Sequence, residues 1–312
     1  MKIAAAVKRA VDDDVKVRVR SDNMGVDIAA REAVRVNARS YLFVPGNKPE
    51  RFDKALASGA DAVILDLEDA VEPEAKVAAR EAIAQWVSPG HPVLVRINAR
   101  NTPWFETDAA LGALNGVAGI VLPKAERADD VCAAVALARR RVPVYPLIES
   151  AHGMWNALEV AKAPHVERLL FGTLDFIVDM GMSDDGVSLN HFRSQLTLIS
   201  RVAGIESPVD GVTPDIHDGE RVERDAFNGK QLGFGGKLCI HPRQIGFVHT
   251  CFRPSADEVR WARRVLDAMR DANGGVVTVD GKMVDRPVLL RATRIAEQAA
   301  SVSPAAEGAG RA

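Results

Sequence analysis

Ser40-Tyr41-Leu42-Phe43-Val44-Pro45-Gly46-Asn47 is a short apolar run broken by a proline and a glycine, the pattern of a buried strand entering a tight turn. A nucleotide-binding open sheet would place a GxGxxG loop after its first strand, and Val44-Pro45-Gly46-Asn47 is not one. Outward from this run, seven more short apolar runs recur at 62–67, 93–97, 119–122, 144–148, 168–171, 208–212 and 237–240. Between them lie amphipathic stretches, such as 74–86, 128–139, 191–203 and 219–232, with apolar residues at three- and four-residue spacing. Apolar runs without polar alternation indicate strands buried on both faces, as in parallel sheets wrapped by helices. Eight such alternations predict an α/β chain folded as a closed TIM (β/α)8 barrel with a C-terminal helical extension. An open doubly wound sheet is the competing reading, disfavoured by the missing glycine loop.

The flanks divide the chain further. Residues 1–38 precede the first barrel strand, and Val15, Val17 and Val19 alternate there with Lys16, Arg18 and Arg20 like an edge strand; they read as an appended segment. The barrel is expected over 39–254 and a helical extension over 255–300. Within that extension a helix spans about 255–272, a polar hairpin 274–282 and a second helix 287–299. The small, polar stretch 301–312 reads as disordered.

Bulk properties exclude some functions. With 40 Lys and Arg against 42 Asp and Glu, the formal charge is −2, so no long-range field favours nucleic acid or an anionic membrane. Cys132, Cys239 and Cys251 are odd in number and lack paired spacing, which suits reduced thiols in a cytoplasm and not a disulfide framework or a zinc site. No stretch approaches ~18 uninterrupted apolar residues, and the N-terminal apolar run is too short for a signal peptide. A cytoplasmic protein is expected.

In a barrel of this kind chemistry occurs at the C-terminal strand ends. Strand two ends in Asp66-Leu67-Glu68-Asp69, strand three in Arg96-Ile97-Asn98, strand five in Ile148-Glu149-Ser150, and strand six leads to Gly172-Thr173-Leu174-Asp175. Glu149 and Asp175 follow adjacent strands, so two carboxylates can share one ion and leave positions for substrate oxygens and water, as magnesium prefers. The competing reading makes Glu149 a helix cap and Asp175 a solvated loop residue. Arg96 presents a planar guanidinium suited to a carboxylate, or else to a structural ion pair with Asp66 or Glu68. Glu68 reads as outer support for the site. Pro45-Gly46-Asn47-Lys48 and Gly235-Gly236-Lys237 are turns that could meet phosphates.

Seven motifs, taken together and in order, resemble the citrate lyase beta-subunit-like branch of the HpcH/HpaI aldolase superfamily. They are Arg39-Ser40-Tyr41-Leu42-Phe43-Val44-Pro45-Gly46, Leu65-Asp66-Leu67-Glu68-Asp69-Ala70-Val71, Val95-Arg96-Ile97-Asn98, Leu122-Pro123-Lys124, Leu147-Ile148-Glu149-Ser150, Phe171-Gly172-Thr173-Leu174-Asp175-Phe176 and Gly236-Lys237-Leu238-Cys239-Ile240-His241-Pro242. The resemblance spans 39 to about 299. It implies a Mg2+ ion held by Glu149 and Asp175, with Glu149 also at the substrate, and Arg96 gripping the carboxylate of a 2-oxo acid. It further implies that Arg39 and Lys48 contact a CoA thioester carrier. Gly281-Lys282-Met283-Val284-Asp285-Arg286-Pro287 resembles the segment that, in this family, closes over a neighbouring subunit's site, which makes Asp285 the acid/base and the protein a homo-oligomer, a trimer or hexamer. Two departures bear on specificity: Leu174 stands where many relatives have Glu, and Ser150-Ala151-His152-Gly153 where Thr-Ala-Arg-Gly is commoner. Residues 1 to about 30 resemble the start of an electron-transfer flavoprotein beta subunit, too short a piece to hold a nucleotide.

The expected activity is a magnesium-dependent carbon–carbon lyase that cleaves or condenses a 3-hydroxyacyl thioester such as malyl-, citramalyl- or citryl-CoA, yielding an acetyl thioester and a 2-oxo acid. Alternatives are a CoA-independent pyruvate-type aldolase and a citrate lyase beta subunit active only beside partner subunits.

Overall fold

The computed structural model describes residues 17–19, 26–28, 38–183, 186–271 and 277–301. Eight parallel strands run through it: β1 (Ser40–Pro45), β2 (Ala62–Asp66), β3 (Val93–Arg96), β4 (Val117–Leu122), β5 (Val144–Ile148), β6 (Leu170–Phe171), β7 (Val209–Asp210) and β8 (Gly236–Cys239). Each pairs with its successor, and β8 returns to β1 with Lys237 opposite Ser40, so the sheet is a closed barrel. The open-sheet alternative is thereby removed. β7 starts one residue later than the apolar run suggests, since Pro208 has no N–H to donate to a ladder.

Alternation along each strand separates two cores. Tyr41, Ile64, Leu94, Val121, Leu147, Leu170, Val209 and Leu238, from all eight strands, fill the barrel interior. Their neighbours, such as Leu42, Leu65, Val95 and Ile148, join helix residues in a larger outer cluster. Helices cover this outer layer, among them α1 (Lys76–Trp86), α2 (Ala128–Ala138), α3 (Ala151–Trp155), α4 (Thr173–Asp179), α5 (Asn190–Ala203), α6 (Gly219–Gln231) and α7 (Ile245–Phe252). The N-terminal end of the barrel is plugged by Arg168, which donates from Nη1 to the Ala38 carbonyl at 2.8 Å and to the Tyr41 hydroxyl at 2.9 Å.

Beyond the barrel, α8 (Ala256–Asp271), β9 (Val277–Val279), β10 (Lys282–Val284) and α9 (Arg286–Ser301) pack around Ala262, Val265, Val277, Val284, Ala292 and Ile295, a core of their own. The hairpin expected over 274–282 is the antiparallel β9–β10 pair, set two residues later at its end. Near the N-terminus, Val17–Val19 pairs antiparallel with Val26–Ile28, outside the barrel sheet. The remainder of the flavoprotein-like stretch and the tail 302–312 lie outside the described residues. Among the described residues no helix is long and apolar enough to cross a membrane.

Candidate active site

Strand β2 delivers Asp66 and then turns through Leu67-Glu68-Asp69. That turn is pinned twice: Asp66 Oδ1 accepts the Glu68 N–H at 2.9 Å, and the buried Lys76 ammonium donates to the Leu67 and Glu68 carbonyls, each at 2.9 Å. At the end of β3, Arg96 meets Asp66 as a fork, Nε to Oδ1 and Nη2 to Oδ2, both at 2.6 Å. Its Nη1 is 2.8 Å from Glu68 Oε2 and 3.8 Å from Asp69; the Glu68 contact is electrostatic, because that oxygen accepts no hydrogen bond. Phe43 closes one side, its ring 4.8 Å from the guanidinium carbon. The structural-pair reading of Arg96 thus holds, and the same side chain lines a cavity of ≈ 360 Å³ at the barrel mouth.

Glu149 and Asp175 line that cavity too. Glu149 follows β5 and is buried. It does not cap the next helix: Ser150 does, its Oγ accepting the Gly153 N–H at 3.0 Å. Glu149 Oε1 accepts the Lys124 N–H at 2.7 Å. Its other oxygen faces Gly172, where any side chain is excluded, since a Cβ would come within 2.6 Å of Oε2. Burial, reinforced by the charge of Glu68, pushes the Glu149 carboxyl up to about 8, against the pull of Lys124 and Arg96. Asp175 sits in the first turn of α4, where the helix dipole favours a negative charge; its side chain is half exposed, not a loop residue.

Lys124 is the residue that sequence reasoning passed over. It follows β4 in the left-handed region, φ 48°, an unfavourable setting for a lysine. That backbone turn aims its N–H at Glu149, while its ammonium lies 2.7 Å from Glu68 Oε1 and 3.9 Å from Asp175. Although burial opposes the charge, the Glu68 bond raises the ammonium to about 12, so it is a fixed cation among three carboxylates. The clue in the sequence was its place two residues past the fourth apolar run, after Pro123.

Other expected site residues stand elsewhere. Arg39 precedes β1 and so lies at the plugged end of the barrel, away from the mouth. It pairs there with Asp61, Nε to Oδ2 at 2.9 Å, and Asp61 also faces His249 at 3.4 Å. Its expected contact with a thioester carrier is corrected accordingly: a residue before the first strand opens on the wrong face. Lys48 is exposed on the β1 loop at the mouth. Asp285 is exposed at the start of α9, accepting the Val288 N–H at 3.0 Å, and does not line the cavity. His152 is exposed, 4.0 Å from Glu126.

A divalent ion fits this arrangement. Among the described residues no cluster of three or more His, Cys, Asp or Glu could hold a metal, so a cation here would take two carboxylates and complete its shell from substrate and water, the habit of magnesium. A buried carboxyl pushed up to about 8 is a group that a cation would return to its ionised form, and the missing Cβ of Gly172 keeps one of its oxygens clear. The mouth can therefore bind an anion through Arg96 and, with a cation bound, polarise an oxygen beside it.

Comparison with known proteins places this geometry among relatives. The model of the HpcH/HpaI aldolase/citrate lyase family matches residues 39–242. A citrate lyase subunit beta-like protein of Deinococcus radiodurans is 35% identical over 81% of this chain and 94% of its own length. A (3S)-malyl-CoA thioesterase of Cereibacter sphaeroides is 33% identical over 85% of this chain and 95% of its own. The solved CitE protein of Mycobacterium tuberculosis, in complex with magnesium, acetoacetate and coenzyme A, superposes with a TM-score of 0.74 at 38% identity, covering 87% of this chain and 100% of that one.

Proposed function

Because the chain belongs to the HpcH/HpaI aldolase/citrate lyase family, we propose that it is a magnesium-dependent carbon–carbon lyase acting on a 3-hydroxyacyl thioester such as malyl-, citramalyl- or citryl-CoA. The observation that carries this reading is the convergence of Glu149, Asp175 and Arg96 on one cavity. A relative solved with magnesium and coenzyme A supports the choice of cation and carrier.

Glu149 and Asp175 would hold the magnesium, which when bound would supply a Lewis acid for the oxygen on the carbon being cleaved. Arg96, steadied by Asp66 and Glu68, grips the carboxylate of the 2-oxo acid portion and fixes the angle of the scissile bond. The substrate hydroxyl loses its proton to a base; the carbon–carbon bond breaks, its electron pair passing to the carbon next to the thioester; a proton on that carbon completes the acetyl thioester. Asp285 supplies that proton to the site of a neighbouring copy, a role that suits its exposure and its absence from the lining of its own cavity. Lys48 meets the carrier. The active protein is then a homo-oligomer, and its free cysteines suit a cytoplasmic setting.

The test is release of a 2-oxo acid from malyl-, citramalyl- and citryl-CoA by the purified chain with magnesium, and its loss on chelation. Turnover untouched by a chelator refutes the metal reading. Release of CoA without a 2-oxo acid identifies a thioesterase, the activity in the name of the Cereibacter relative. Cleavage of free hydroxy acids with no thermal shift from CoA identifies the CoA-independent aldolase, and activity appearing only with added subunits identifies a partner-dependent beta subunit.

A further inference from the structure

The cavity is uneven in charge. Four carboxylates, Asp66, Asp69, Glu149 and Asp175, line it against a single guanidinium, Arg96. That guanidinium is already forked onto Asp66 and set against Glu68, and the nearby Lys124 ammonium is held by Glu68 at 2.7 Å. Lys76 is turned away to backbone carbonyls. Even with a divalent cation present, the lining keeps a net negative charge. Apart from Thr173, the rest of the wall carries no polar side chain, and Phe43, Val212, Leu238, Leu174 and Ile240 form most of it. Leu174 and Ile240 are 44% and 40% exposed, so they are not core residues; their aliphatic surface is presented to whatever fills the mouth.

We infer that the site selects a 2-oxo monocarboxylate with a small apolar substituent, pyruvate over oxaloacetate, and that Leu174 and Ile240 are the residues that set this choice. The inference rests on the lyase reading, since it takes Arg96 as the seat of the first carboxylate. The lining of the cavity holds no second cation for another carboxylate to meet. It would lie against Leu174 and Ile240, giving up its water for hydrocarbon, or against Asp69, where like charges repel. A methyl or ethyl group in the same place gains contact with that wall. In the cleavage direction the preferred thioester is one whose departing 2-oxo acid carries no second carboxylate.

The experiment is calorimetric titration of the magnesium-loaded full chain with pyruvate, 2-oxobutyrate and freshly prepared oxaloacetate. The last two share a four-carbon chain and differ by the second carboxylate. Expected is binding of pyruvate and 2-oxobutyrate, with oxaloacetate at least about tenfold weaker, and narrowing of that gap in Leu174→Arg and Ile240→Lys. Thermal melts establish that each variant folds, and two separate positions guard against the loss of one. Equal affinity for oxaloacetate and 2-oxobutyrate overturns the charge argument and leaves the lyase reading intact. Weak binding of both relative to pyruvate means that size governs, which also overturns it. An unchanged gap in both folded variants removes Leu174 and Ile240 as determinants. Binding of none of the three acids in magnesium refutes the lyase reading, and the inference with it.

Discussion

Replacing Glu149 by glutamine should stabilise the metal-free protein while abolishing its response to magnesium. In the unfolded chain a glutamate ionises near 4.5, whereas burial beside Glu68 lifts Glu149 to about 8. Between those values the unfolded chain binds fewer protons than the folded one, so stability falls as pH rises. At 1.36 kcal/mol per unit the penalty is absent well below pH 4.5, reaches about 3 kcal/mol at pH 7, and stops growing above pH 8. Glutamine keeps the oxygen that accepts the Lys124 N–H and never ionises, so the penalty disappears. In a chelator at pH 7, Glu149→Gln should melt roughly 5–10 °C above wild type, and at pH 5 the difference should shrink to below about 1 kcal/mol. Magnesium binds the ionised form of wild type and should raise its midpoint in proportion to the logarithm of concentration; the variant should stay flat. Scanning calorimetry at both pH values, with and without magnesium, reads all four states. A variant that melts below wild type in chelator, or keeps the magnesium-induced shift, refutes Glu149 as a buried, metal-seeking carboxyl.

Arg96→Lys loses the fork onto Asp66 and leaves that buried carboxylate poorly matched. Denaturant melts should show a loss of about 3–5 kcal/mol, and turnover should fall by about 100-fold. Gly172→Ala drives a methyl group to within 2.6 Å of Glu149 Oε2; the carboxylate must move, so magnesium affinity measured by calorimetry should drop sharply at a stability cost of about 1–3 kcal/mol. Asp285→Asn should lose most turnover while keeping magnesium and 2-oxo acid binding, and mixing it with inactive Arg96→Lys should restore part of the activity if sites are shared between copies. No recovery in the mixed oligomers would confine Asp285 to its own chain.

Much of this molecule was legible before any coordinate. The eight apolar runs became eight strands because each is buried on both faces, and such runs have few other places to go. Leu67 and Glu68 following Asp66, or Ser150 following Glu149, marked the strand ends at which polar groups surface. The two-carboxylate pattern was legible for the same reason: adjacent strands in a parallel barrel bring their C-terminal ends together.

Lys124, Arg39 and Asp285 show where such reading stops. Whether Arg39 opens on the mouth or on the plugged end is settled by the direction of β1, and its bond to Asp61 joins segments that the pairing of β1 with β2 brings side by side. Lys124 earns its place through one left-handed backbone turn, which no periodicity encodes. Asp285 is exposed beside a small separate core that includes Val284, so its relation to the mouth depends on packing beyond its own neighbours. By itself the order of residues determined the barrel and the end at which its acids and a guanidinium gather, because burial patterns are local and repeat. Only tertiary closure decided which charges meet, since hydrogen bonds between distant strand ends depend on register and backbone turn at a scale of tenths of an ångström.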